Sequence, residues 1–477
     1  GGSGGCLKIV ETTNFASDGV GAGCSLTGDG EHNIFLGACA GKKITSQDEN
    51  VYIGKGTGQC MTAGQYNVFV GSYHGGFSGD GAGQDGFNVT VGYSNFKWIT
   101  SGSCNIVFGK ESGGLTTGNE NIVMGTFAFC KNNTGSDNIS LGRCSTHNAV
   151  VSGSNNIVMG CKVAYELTSG TDNIMLGQLA GCDVSSGDNN VFLGAYAGRK
   201  ITTTDYNIAI GMKALGDATN TGTMQVAVGY GALKNATDGS YNVAIGADAG
   251  RCASTSCDSV FVGYYSVGKN AVTGNGHVVV GQRAGVDMTG AAACNTFIGA
   301  CAGHTVTTGS DNVVIGRAAV AKSITGSNQL SIGIDTNNWL TGDSDYNVSF
   351  GALTLTEKVV ITAGKLSDNT TINIDNGMVH HFTTAESTTS TPNITSTNTI
   401  NSDLAVGDSI QVVLITTAAA AGYSAQLTIQ GAAVTEKWLG GSAPSTGGSS
   451  GNDVYTYNII KTAADTYTVL ANLVNFA

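Results

Sequence analysis

The residues in this chain with chemistry to offer are 13 cysteines and 7 histidines in 477 positions. Thiols and imidazoles are the usual zinc ligands, but zinc sites draw on closely spaced pairs, and Cys-x-x-Cys does not occur. The adjacent His380 and His381 are the one weak candidate for a metal, and only if several chains bring them to a common axis. No phosphate-cradling Gly-x-x-x-x-Gly-Lys-Ser/Thr loop occurs, and no carboxylate pair recurs at a fixed spacing. The expectation is therefore not an enzyme, with no catalytic residues and no cofactor.

What recurs instead is a structural motif, Asn-aliphatic-x-apolar-Gly. Anchored on its glycine it occurs 19 times, from Gly37 to Gly351, in steps of 16 to 18 residues. One step of 21 precedes Gly92, where residues 79–86 read as a loop bulging from one coil. Four positions before the glycine stands Asn in 15 of 19 units. Examples are Asn33 with Gly37, Asn50 with Gly54, Asn207 with Gly211, Asn242 with Gly246 and Asn312 with Gly316. Gln225, Ser259, His277 and Gln329 take its place elsewhere, His277 as a structural substitute.

A fixed period of this length is the mark of a repeat architecture. Each unit reads as one turn of a parallel β-solenoid, and at the strand spacing 19 coils stack to roughly 90 Å. Gly ends the strand where the chain needs positive φ or close approach. Asn tolerates turn geometry, and its amide in successive coils can bond its neighbours along the axis. The two aliphatic slots flanking the middle one share a strand face and are expected to point inward. The middle slot is then expected outside. It is apolar in 15 of 19 units, as at Phe35, Phe69, Phe192, Phe261 and Phe297. Such a column is too large a patch for a soluble monomer. These residues are therefore expected to contact other copies, three parallel chains about one axis.

On this frame the cysteines scatter. Cys39, Cys144 and Cys301 share one slot, Cys130 and Cys182 another, Cys104 and Cys294 a third, and no same-slot pair lies on adjacent coils. No disulfide ladder follows. Small buried thiols from a reducing cytoplasm are expected, with Cys252 and Cys257 near enough to pair.

Composition agrees. Gly is 72 of 477, Pro only 2, and the apolar fraction of 41% is that of a packed chain. A formal charge of −12 argues against general affinity for nucleic acid or anionic membrane, and no apolar run would span a bilayer. No signal peptide is visible, and the opening Gly1-Gly2-Ser3-Gly4-Gly5 is assigned no fold.

Units such as Tyr206-Asn207-Ile208-Ala209-Ile210-Gly211 resemble the head repeat of trimeric autotransporter adhesins, a left-handed β-roll. They are more similar still to the longer repeat of phage and giant-virus fibres, which implies a trimeric rod. Residues 378–477 resemble the terminal domain of marine cyanophage tail-fibre and virion structural proteins. The matching text includes Met378-Val379-His380-His381-Phe382-Thr383-Thr384, Val406-Gly407-Asp408-Ser409-Ile410 and Trp438-Leu439-Gly440-Gly441-Ser442-Ala443-Pro444. That family has an aliphatic residue where His381 stands.

Both prolines, Pro392 and Pro444, fall in this last segment, and the repeat stops before it. Alternation at 408–414 and 455–460 reads as short strands of a sandwich-like domain. The expected layout is an N-terminal Gly-rich segment 1–30 for attachment or as irregular coil. A solenoid rod follows at 31–351, an extended connector at 352–377 and a C-terminal β domain at 378–477. The resemblance implies a homotrimeric virion fibre, assembled in the host cytoplasm and docked on baseplate or other appendage proteins. Its tip would meet a host surface glycan or protein, with Tyr423 and Trp438 as candidate contacts. The alternatives are a bacterial trimeric adhesin, with a membrane anchor or coiled-coil stalk, and a purely structural filament subunit.

Overall fold

The computed structural model describes residues 7–9, 15–17, 20–27, 30–75, 86–97, 99–131, 133–345, 347–350 and 358–477. Residues 79–85 of the expected bulging loop lie outside these. The chain is all-β, with one α-helical turn among the described residues, at Ile400–Asp403, and divides into two compact units, 1–352 and 353–477.

The first unit is a parallel β-solenoid of 19 stacked strands, from Phe15–Ser17 to Leu330–Ile334. Most are three residues long, and each pairs in register with the same slots of the next coil, as Val191, Phe192 and Leu193 do with Ile208, Ala209 and Ile210. The stack is shifted by one coil from its expected place. It begins inside segment 1–30, where Phe15–Ser17 pairs parallel with the strand after it and antiparallel with Leu7–Ile9. It ends at Leu330–Ile334, which turns back antiparallel onto Asn337–Gly342. The unit expected to end at Gly351 is no coil: Val348–Phe350 pairs antiparallel with Asn337–Gly342, and Gly351 lies outside the described residues.

Gly and Asn perform the roles their chemistry suggests. Gly54 has φ +119°, and a Cβ there would stand 1.5 Å from the Gly71 carbonyl oxygen of the next coil. Only a residue with no side chain lets coils approach so closely. The asparagines are buried and form a ladder. Asn50 Oδ1 accepts from both the backbone N–H and the Nδ2–H of Asn67, each at 3.1 Å. The backbone link repeats without a break from Asn33 to Gln225. At Gln225 the longer side chain turns to Asn220 instead, 2.9 Å away, and its Oε1 is left buried without a partner. The ladder resumes at Asn242 and runs through Ser259, His277 and Asn312 to Gln329.

The strand faces are the reverse of the expectation. Phe35, Phe69, Phe192, Phe261 and Phe297 are at most 1% exposed and form the solenoid's own core, not an oligomer contact. They share that core with residues from the rest of each coil, such as Ala40 and Ile44, or Ala302 and Val306. Phe35, Tyr52 and Phe69 stack with ring centroids 5.4 and 4.9 Å apart. The reason is parity. The buried Asn and the middle residue are i and i+2, so the ladder carries the middle slot inward and turns both flanking slots outward.

The C-terminal unit has two sheets over one core. The six-stranded sheet runs Val359–Thr362, Val379–Ala385, Ser409–Thr417, Asn452–Ala463, Thr466–Phe476, Glu436–Trp438. The four-stranded sheet runs Thr371–Asn373, Asn393–Thr395, Thr428–Ile429, Ala432–Ala433. Phe382, Leu414, Tyr455 and Tyr457 from the first meet Ile372, Ile394 and Ile429 from the second. Of the segment 352–377 expected as an extended connector, Val359–Thr362 and Thr371–Asn373 are members of these sheets.

Candidate functional site

With the middle slot inside, the outer face of the solenoid's strand sheet is built from the two flanking slots. In each short strand those two residues are half-buried or exposed while the middle one is buried. Ile34, Ile174, Ile210, Ile245, Val278 and Ile298 are 36 to 44% exposed. Two columns, Ile, Val, Leu or Met from Ile34 to Ile332 except at Phe108 and Thr296, therefore run along the unit on one face. Around Ile210 and Ile245 the edges of this face carry exposed Tyr206, Met212, Met224, Tyr230, Tyr241 and Tyr264. Parallel sheets are ordinarily covered on both faces. Allowing about 50 Å² open per flanking residue, the face is well beyond the roughly 800 Å² per partner of a standard stable interface.

The cysteines are not the buried thiols expected. All twelve described are free and none is fully buried; Cys24, Cys104 and Cys294 are exposed. The cause is their position at corners. Cys39, Cys104, Cys144, Cys294 and Cys301 all have φ between 52 and 59°, where the turn leaves the core side to other residues. Cys252 and Cys257 do not pair with each other: the Cys252 thiol donates to the Gly268 carbonyl at 3.2 Å, and Cys257 Sγ accepts from the Ser240 N–H.

One contact was missed in the sequence although its spacing equals the repeat. Cys130 Sγ lies 2.8 Å from His147 Nδ1, one coil on, beside a cavity of about 200 Å³ lined also by Lys97 and Glu111. Burial pushes the Cys130 thiol up to about 11, so it stays protonated at neutral pH and is a poor nucleophile. Compared with family models, curated proteins and solved structures, the chain matches none.

The histidines serve structure. His277 Nδ1 accepts from the Asn295 N–H at 3.3 Å, standing where an Asn oxygen stands elsewhere in the ladder. Burial lowers its pKa to about 4. His74 donates from Nε2 to the Gly92 carbonyl and accepts from the Thr90 hydroxyl at Nδ1. His380 is buried and donates from Nε2 to the Gly377 carbonyl at 2.9 Å, whereas His381 follows on the opposite face of the same strand. The pair therefore cannot turn both rings to one ion. Among the described residues no group of three or more His, Cys, Asp or Glu side chains could hold a metal, and no helix is long and apolar enough to cross a membrane.

Tyr423 and Trp438 are both half-buried and lie in different surroundings. The Tyr423 carbonyl accepts from Ser390 N–H, tying its loop to the strand region before Asn393. Trp438 ends the edge strand Glu436–Trp438 and sits edge-on to buried Tyr457, ring centroids 6.1 Å apart.

Proposed function

We propose that the chain is the subunit of a structural fibre, in which solenoids lie parallel and in register, three about a common axis. The observation that carries this reading is the double aliphatic column on the outer face of the strand sheet. Its ridges repeat once per coil, at about 4.8 Å. A surface with that same repeat is what complements it over its length, and a second copy of this chain has it by construction. The number three and the virion setting come from the resemblance of the repeat and of residues 378–477 to phage fibre proteins. In this reading the C-terminal unit is the tip that meets a host cell surface, and repeated weak contacts by three tips add avidity.

Mass in solution tests it. The full chain is expected to sediment at three times 48.2 kDa. A doubly substituted Ile210→Lys, Ile245→Lys chain is expected to lose that association at micromolar concentration while keeping its far-UV circular dichroism. A wild-type monomer at 48.2 kDa would overturn the proposal.

A further inference from the structure

The edge strand Glu436–Trp438 of the six-stranded sheet borders two grooves. One, of about 540 Å³, is lined by Gln426, Glu436, Lys437 and Trp438 over a floor of small residues including Ala425 and Gly441. The other, of about 410 Å³, shares Lys437 and Trp438 and adds Asn458 and Asn472. Glu436 is held in place, since its Oε1 accepts from the Leu427 N–H. The Trp438 ring is held too, wedged against Tyr457. Its Nε1–H is buried and has no hydrogen-bond partner among the described residues. An unpaired buried donor is costly, and such exceptions mark strained or functional positions.

We infer that the groove at Trp438 is a binding site for a neutral oligosaccharide, about two sugar rings long. The inference rests on the reading of the C-terminal unit as a recognition tip, and it names that tip's ligand class. With its N–H turned inside, half-buried Trp438 offers the groove the flat apolar part of its indole. A sugar ring offers the complement: an apolar C–H face and a rim of hydroxyls that both donate and accept. Gln426 and Glu436 can pair with adjacent hydroxyls in a planar, two-point manner. Adjacent Glu436 and Lys437 carry opposite charge, so the groove has no net sign to demand an ionic ligand. The 540 Å³ lies within the range of small-molecule sites and takes two rings.

An extended peptide is the other ligand an edge strand invites. Here that edge is only three residues long and runs into Gly440 and Gly441, with φ of +86 and +85°. Too few backbone groups remain in line to hold an added strand.

The test is titration of the full chain with lactose, maltose, cellobiose and diacetylchitobiose, followed by isothermal titration calorimetry, with an unstructured decapeptide alongside. At least one disaccharide is expected to saturate in the millimolar range. Trp438→Phe is expected to abolish the response, and the exposed-site variant Gln426→Ala to weaken it at least about tenfold. Both variants should keep wild-type circular dichroism. No saturation by any of the four sugars, or titrations unchanged in both variants, would overturn the inference. So would saturation by the decapeptide alone, which would assign the edge to a peptide. Solution mass separates the two readings: a trimer blind to sugars sinks only this one, and a monomer that binds sugar sinks only the parallel fibre.

Discussion

At the residue scale the most informative position is the one where the ladder changes chemistry. His277 must be neutral, with its proton on Nε2, for Nδ1 to accept from Asn295. Its pKa in the fold, about 4, is below the ordinary 6.5 of the unfolded chain. Between those values the unfolded chain binds a proton that the native one refuses. Stability is therefore whole above about pH 6.5 and is lost as pH falls toward 4. The shift corresponds to about 3 kcal/mol at the acid end. Burial lowers His74 and His380 in the same direction, so the clean measurement is a difference. His277→Asn, which restores the usual amide, is expected to flatten the pH 6.5 to 4 dependence of denaturant midpoint relative to the wild type. Parallel curves for the two proteins would remove His277 from the account.

At the element scale the strand's inside and outside are set by a two-residue rule, and the rule has a measurable consequence. Phe192 is fully buried, so Phe192→Ala should cost about 3 to 5 kcal/mol of solenoid stability. Its association state should be unchanged wherever the fold persists. The opposite pattern, lost association at intact stability, is the outcome expected of Ile210→Lys and Ile245→Lys. Thermal melts and sedimentation on the same samples separate the two. The solenoid itself was legible in the sequence because period and composition agree over 19 units. The Asn ladder was legible because a stacked amide has few better partners than the next amide. The facing of Phe35 and its equivalents was not, since aliphatics fill both sides of the strand and hydropathy alone is then symmetric. The answer lay in Asn33: a buried Asn at i commits Phe35 at i+2 to the same side. The Cys130–His147 contact was equally available, as 17 residues is one coil. The sheet membership of Val359–Thr362 was not, because its partner strand Val379–Ala385 shares no pattern with it.

At the scale of the whole chain, two compact units with separate cores should melt separately. Calorimetry is expected to resolve two transitions, with Phe192→Ala moving one and leaving the other in place. A single cooperative transition shifted as a whole would contradict this. Within the solenoid each coil touches only its neighbours, so its stability is a sum of local steps, and the joint after Gln225 lacks the ladder's contribution.

The ladder also gives the solenoid a sense of direction. Backbone bonds between coils run both ways, Ile34 N–H forward to Asn50 and Gly54 N–H back to Leu36. The side-chain amides donate both ways too, since Asn50 and Asn88 Nδ2–H also reach forward to the Gly64 and Gly102 carbonyls. Their oxygens do not alternate: from Asn33 to Asn207 each Oδ1 accepts from the backbone N–H of the coil after it. Copies laid parallel would share that sense, and antiparallel copies would oppose it.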